Sequence, residues 1–158
     1  RSCWVDLAAR ALRPRRLIEP GAKWLKRAVG GFDRVLVDAP CTGTGTWRRK
    51  PDARLRLAEA DLLDLAQKQS VILERAARLV KPGGVLVYAT CSVLAEENEA
   101  QVENVLTRVP GLVVLPLTAV RARTGVPLPG DGPYLSLTPA RHGTDGFFAA
   151  ALVREAVA

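Results

Sequence analysis

Two short, unbroken apolar runs set the strongest limit on what this chain can fold into. Val35-Leu36-Val37 and Val85-Leu86-Val87-Tyr88-Ala89 do not alternate with polar residues, so they read as strands covered on both faces. Between them, Leu62, Leu65, Ile72, Ala76 and Leu79 recur at helical spacing, with Ala66, Leu73 and Val80 beside them. This predicts a long helix from about Glu59 to Val80, stopped by Lys81-Pro82-Gly83-Gly84. A second helix is predicted from near Ala95, with Val102, Val105, Leu106 and Val109 as its stripe and Pro110-Gly111 as its end. Glu96, Glu97 and Glu99 fall in its first turns, where carboxylates suit the helix dipole. Leu112 to Leu117 reads as a third strand. Leu135-Ser136-Leu137 and Phe147 to Val153 read as a hairpin around His142-Gly143-Thr144-Asp145-Gly146. Strand, helix, strand, helix, strand is the pattern of an α/β fold: an open parallel sheet with helices on its faces and ligands beyond the carboxyl ends of its strands.

The first 31 residues carry weaker signals. Val5 to Leu12 reads as a short helix closed by Pro14, and Trp24, Leu25 and Ala28 as one face of a turn ending at Gly30-Gly31. At 158 residues, 48% of them apolar and 25% charged, the composition is that of one globular domain. No 20-residue apolar span and no secretory leader pattern is present, which argues against membrane and secreted classes. Residue 1 is Arg and there is no Met, so the chain reads as a piece of a longer protein. Cys3, Cys41 and Cys91 are far apart, which predicts free thiols in a reducing, cytoplasmic compartment. Residues 1–56 hold 14 Lys and Arg against 5 Asp and Glu, or +9; the remainder holds 9 against 11, or −2. A basic front half suits a polyanion such as nucleic acid, and equally suits a solvated basic face.

Both strands end in informative loops, Asp38–Gly45 and Thr90–Ser92. If the strands are neighbours, Cys41 and Cys91 face one crevice. Three readings stand open for them: two buried thiols, a metal site with His142 as third ligand, or a catalytic thiolate with a second group handling protons. The metal reading has no close ligand pair to nucleate it. Asp38 is placed either as a functional carboxylate at the crevice or as a loop and cap residue. Thr42-Gly43-Thr44-Gly45 lacks the GxGxxG spacing and has no Lys-Ser/Thr pair after it, which excludes a phosphate loop.

The run Phe32-Asp33-Arg34-Val35-Leu36-Val37-Asp38-Ala39-Pro40-Cys41-Thr42-Gly43-Thr44-Gly45 resembles motif IV of the Sun/RsmB/Nop RNA cytosine-5 methyltransferases, continued by Thr46-Trp47-Arg48-Arg49-Lys50-Pro51-Asp52. Tyr88-Ala89-Thr90-Cys91-Ser92-Val93-Leu94-Ala95-Glu96-Glu97-Asn98-Glu99 resembles motif VI, and His142-Gly143-Thr144-Asp145-Gly146-Phe147-Phe148 is similar to the family's closing hairpin. The resemblance covers about residues 24–155. It implies a Rossmann-like class I methyltransferase sheet, in its C-terminal half, with a closing antiparallel hairpin. The division it implies is a poorly matched segment over residues 1–31 and the C-terminal part of the catalytic domain over residues 32–158.

By motif position the resemblance makes Cys91 the nucleophile that adds to cytosine C6. Cys41 becomes the residue that helps release the adduct, and Asp38 a catalytic and cofactor-binding carboxylate between base and S-adenosyl-L-methionine. A thiolate at C6 makes C5 electron-rich enough to take a methyl group. The target base must be single-stranded or flipped out. Arg48, Arg49, Lys50 and Arg54 are implied phosphate contacts, with a solvated basic loop as the alternative. The implied partner is RNA, ribosomal RNA before tRNA, with no membrane. The family's Gly-rich cofactor loop, the acidic residue that ends its second strand and its N-terminal RNA-binding domain have no counterpart in these residues. The contrasting expectation is therefore a non-catalytic fragment that binds RNA or associates with another chain. An open strand edge near Arg34–Val37 would favour such association, including self-association.

Overall fold

The computed structural model describes residues 22–156. The helix predicted over Val5–Leu12, together with Cys3, lies outside the described residues. Helix α1 (Ala22–Ala28) precedes strand β1 (Phe32–Asp38), and a single 3-10 turn at Thr44–Thr46 leads into the short α2 (Ala53–Arg56). Helix α3 (Glu59–Leu79), β2 (Val80–Thr90), a 3-10 turn at Ala95–Glu97, α4 (Glu99–Arg108), β3 (Leu112–Leu115) and α5 (Leu117–Thr124) follow. Strand β4 (Leu135–Leu137), α6 (Pro139–His142) and β5 (Phe147–Arg154) complete the described chain.

The α/β class and the closing antiparallel hairpin are as expected, while the sheet is mixed rather than parallel throughout. Its order is β1-β2-β5-β3, with β4 paired to β5. β1 and β2 are parallel, with Val37 opposite Tyr88 and Asp38 opposite Ala89. β5 inserts between β2 and β3 and runs antiparallel to both. β3 therefore points the same way as β2 without touching it, because the hairpin strand takes the place a third parallel neighbour would have. Leu117, expected at the end of the third strand, opens α5 instead, directly after Pro116.

Helix α3 begins at the residue expected, and its end at Leu79 frees Val80 to pair with Phe32. Its buried face runs through Gln69, Leu73, Ala76, Ala77 and Leu79, so the stripe is rotated from the predicted one: Ile72 is exposed and a glutamine takes a core position. With Val102 and Val105 of α4 and Val109 just after it, this face covers one side of the sheet, where Val37, Leu86, Tyr88, Phe148, Ala150 and Leu152 are buried. The apolar runs predicted cover on both faces. Among the described residues only this face is closed; on the other, Leu36 is 65% exposed. The Tyr88 hydroxyl donates to the Glu97 carbonyl at 2.6 Å, so a core aromatic residue also ties β2 to the loop that follows it.

Candidate functional site

Parallel pairing of β1 and β2 brings both of their carboxyl ends to one edge of the sheet. The Ala39 N–H donates to the Ala89 carbonyl at 3.0 Å, extending the pairing into the loops. Gly45 N–H then donates to the Cys91 carbonyl at 2.9 Å, and Gly146 N–H donates to the Gly45 carbonyl at 2.8 Å. Three loops are thus laced together by backbone hydrogen bonds. Side chains reinforce this: Thr44 Oγ1 lies 3.0 Å from Ser92 Oγ and accepts the Val93 N–H at 3.0 Å. Asn98 accepts from Thr90 Oγ1 at 2.6 Å and donates to the Ser92 carbonyl at 3.0 Å, closing the loop after β2 on itself.

The result is a contact of 3.3 Å between Cys41 Sγ and Cys91 Sγ, both half-buried. The two thiols divide their roles. A hydrogen bond from Cys41 lowers the Cys91 thiol to about 7, against the burial that opposes it and the carboxylates of Asp38 and Glu97, which push it up. Cys41 is pushed far up, first by that same hydrogen bond and then by burial, and keeps its proton. The direction is thus toward ionisation at Cys91 and away from it at Cys41. In a Cys41→Ala protein the alkylation midpoint of Cys91 is expected to rise toward the ordinary thiol value of about 8.5, lowering its reactivity at pH 7 roughly tenfold. Peptide-resolved iodoacetamide labelling against pH measures it.

Asp38, at the carboxyl end of β1, is exposed and close enough for its charge to act on Cys91. The site residues expected at the crevice therefore converge there, whereas His142 does not. Its Nδ1 accepts from the Thr138 N–H at 3.0 Å in the loop between β4 and β5. Among the described residues no three His, Cys, Asp or Glu side chains group as metal ligands.

Arg48, Arg49, Lys50 and Arg54 follow the Cys41 loop on an exposed surface, as the sequence predicts. They are not equivalent. Arg49 Nε donates to Asp145 at 2.6 Å, its guanidinium ion-pairs there, and Arg48 lies 3.7 Å from the same carboxylate. Arg49 holds the Asp145 carboxyl below its ordinary value. Arg54 stacks over the Trp47 ring, 6.0 Å from its centroid. A cleft of about 400 Å³ opens beside Cys41 and Thr42 between α2 and α3, with Arg56, Asp61, Asp64 and Lys68 among its lining.

Sequence reasoning missed the groups that hold Cys41 in place. Glu97, read as a carboxylate suited to a helix dipole, is fully buried and points inward. It accepts the Thr42 N–H at 2.9 Å, the Thr42 hydroxyl at 2.6 Å and the Gln69 amide at 2.9 Å. Gln69 also donates to the Pro40 carbonyl at 2.8 Å. The polar residue on the core face of α3 was the signal in the sequence for Gln69. For Glu97 the signal was weaker, since the 3-10 turn and the break at Asn98 that rotate it inward are tertiary effects.

A family model described as 16S rRNA methyltransferase RsmB/F matches residues 12–153. The chain is 44% identical over 124 residues to ribosomal RNA small subunit methyltransferase B of Salmonella dublin, covering 78% of this chain and 27% of that protein. It is 49% identical over 126 residues to a Mycobacterium tuberculosis protein that carries the name of a candidate methyltransferase, again over 27% of its length. The chain thus spans about a quarter of the curated relatives it matches. Among solved structures it is similar to NSun6 from Pyrococcus horikoshii with SFG, at TM-score 0.68 and 27% identity over 88% of this chain and 34% of that one. A methyltransferase homologue from the same organism matches at TM-score 0.59 and 32% identity, over 77% of this chain and 38% of that one.

Proposed function

The chain belongs to the 16S rRNA methyltransferase RsmB/F family, and from that membership we propose that it carries the thiol machinery for methylating C5 of a cytosine in RNA. Ribosomal RNA is the first substrate by family and tRNA the second. The observation that carries the reading is the Cys41–Cys91 contact at 3.3 Å at the carboxyl ends of β1 and β2. Cys91 Sγ adds to C6 of a flipped-out cytosine, and the new bond makes C5 electron-rich. After C5 gains its methyl group, solvent takes the C5 proton, the C5–H electron pair re-forms the C5–C6 double bond, and the C6–S bond breaks to release the Cys91 thiolate. The Cys41 thiol, as donor to Cys91 Sγ, stabilises the departing thiolate and so assists release.

S-adenosylmethionine supplies the methyl group when bound, and SFG, its analogue in the NSun6 structure, supports this. The described residues fit one edge of that group. Asp38 offers an exposed carboxylate acceptor beside the reactive thiol, suited to a cationic or hydroxyl-bearing ligand. Residues 32–158 are accordingly read as the C-terminal part of the catalytic domain. The reading is tested by trapping on RNA that carries 5-fluorocytosine, whose C5 has no proton to lose. A covalent complex mapped by mass spectrometry to Cys91 is expected. Its absence in a chain that binds S-adenosylmethionine overturns the proposal.

RNA contact is assigned to Lys50 and Arg54 with Arg48 and Arg49. Lys50→Ala and Arg54→Ala are expected to weaken binding to single-stranded RNA and to lower the slope of log affinity against log salt. The slope falls by about 0.7 for each phosphate that is no longer neutralised. An unchanged slope returns these residues to a solvated surface. A second reading, a fragment that associates with another chain or with itself, is favoured by β1. Among the described residues β1 pairs only with β2, and it leaves Leu36 exposed. Isothermal titration with S-adenosylmethionine separates the two: tight binding by this chain favours the first and no binding the second.

A further inference from the structure

We propose that Glu97 and Gln69 are positioning residues that set the Cys41 thiol against Cys91. The proposal rests on the reading of Cys91 as the nucleophile. Cys41 sits between two backbone groups, the Pro40 carbonyl and the Thr42 N–H, and one buried side-chain pair holds both. Gln69 Nε2 bridges the Pro40 carbonyl at 2.8 Å and Glu97 Oε1 at 2.9 Å. Glu97 Oε1 also accepts the Thr42 N–H, and Oε2 accepts the Thr42 hydroxyl. Both side chains are 0% exposed. They come from separate elements, the middle of α3 and the 3-10 turn after β2, so they link the Cys41 loop to the segment that follows Cys91.

The cost of this arrangement argues for a purpose beyond packing. A buried carboxylate without a cationic partner is retained only where hydrogen bonds replace its hydration. Here three donors converge on two oxygens: two belong to Thr42, next to Cys41, and the third is the Gln69 amide that also holds the Pro40 carbonyl. The charge of Glu97 acts against ionisation of Cys91, so its benefit has to lie in geometry. The groups that bear on Cys91 are Cys41, Asp38 and Glu97, with Arg49 also sensing the thiolate.

This opposition of charge and geometry makes the test decisive. The pH midpoint of Cys91 alkylation is read by peptide-resolved iodoacetamide labelling, which requires no methyl transfer and so stands apart from the trapping assay. Glu97→Ala is expected to raise the midpoint from about 7 by more than one pH unit, because Cys41 is no longer held as donor. Glu97→Gln keeps an acceptor for Thr42 and Gln69 while removing the charge, and is expected to leave the midpoint unchanged or lower. Gln69→Leu, which preserves the charge and most of the volume, is expected to raise it. A purely electrostatic role for Glu97 predicts a lower midpoint in both Glu97 variants and no change in Gln69→Leu, and that pattern overturns the proposal. If Glu97→Ala fails to fold, Gln69→Leu decides alone: a midpoint unchanged from that of the unsubstituted protein overturns positioning.

Discussion

A Cys91→Ala protein is expected to form no covalent complex with 5-fluorocytosine RNA, whereas a Cys41→Ala protein is expected to accumulate one even with ordinary cytosine. The first expectation follows from which sulfur is ionised. The Cys91 thiol is lowered by its hydrogen bond with Cys41, whereas Cys41 is raised by the same bond and by burial, so Cys91 is the sulfur expected to supply the thiolate. Removing an essential nucleophile costs on the order of 10⁴-fold or more in turnover. The second follows from the same 3.3 Å contact seen from the product side. A hydrogen bond to a charged group contributes about 1.5–3 kcal/mol, so losing the Cys41 donor slows thiolate departure roughly ten- to hundredfold. Denaturing electrophoresis reads both results. A complex formed by Cys91→Ala and lost only in the double variant would move the nucleophile to Cys41.

Gly45→Ala and Gly146→Ala are expected to destabilise the fold by roughly 3 kcal/mol or more, a large share of a typical 5–15 kcal/mol total. The reason is space rather than torsion. A Cβ on Gly45 meets the Gly146 carbonyl and lies 2.8 Å from the Cys91 carbonyl oxygen. A Cβ on Gly146 lies 2.5 Å from Val93 Cγ1 and 2.7 Å from Gly45 Cα. Most of these obstacles are backbone, so relief requires the loops to part and to lose the Gly45–Cys91 and Gly146–Gly45 hydrogen bonds. Gly125→Ala is the control. Its φ of +69° is strained for alanine but its surroundings are open, so about 1–2 kcal/mol is expected. Thermal unfolding measures all three. Losses at Gly45 and Gly146 no larger than at Gly125 would show that the loops part at little cost.

Much of this architecture was legible because it depends on local pattern. The apolar runs located β1 and β2, the spacing from Glu59 onward located α3, and the parallel pairing carried Cys41 and Cys91 to one crevice. Pairing order was less legible. The run from Phe147 identifies a strand, yet nothing local says that it separates β2 from β3. The site was read through its reactive residues, and its supports were not. Glu97 and Gln69 have ordinary roles at their positions in sequence, one near a helix start and one within a helix. Only packing turns them toward Pro40 and Thr42. Asp145 is the same case on the surface: a loop carboxylate in sequence, it engages two of the arginines expected to meet RNA.

The placement of β5 also bears on how the protein is made. It is the last strand of the described chain and the inner partner of β2, β3 and β4. During synthesis both cysteine loops leave the ribosome well before the strand that joins the sheet. Until Phe147–Arg154 follows, β2 has one unfilled edge and β3 has none of its described partners. Gly146, immediately ahead of β5, is likewise the last piece of the loop crossing to arrive. The Cys41–Cys91 contact, with Gln69 and Glu97 behind it, lies wholly within residues emerging before β5, so a nascent chain halted before residue 146 holds both thiols yet lacks the Gly146 part of the loop crossing and the central strand of the sheet.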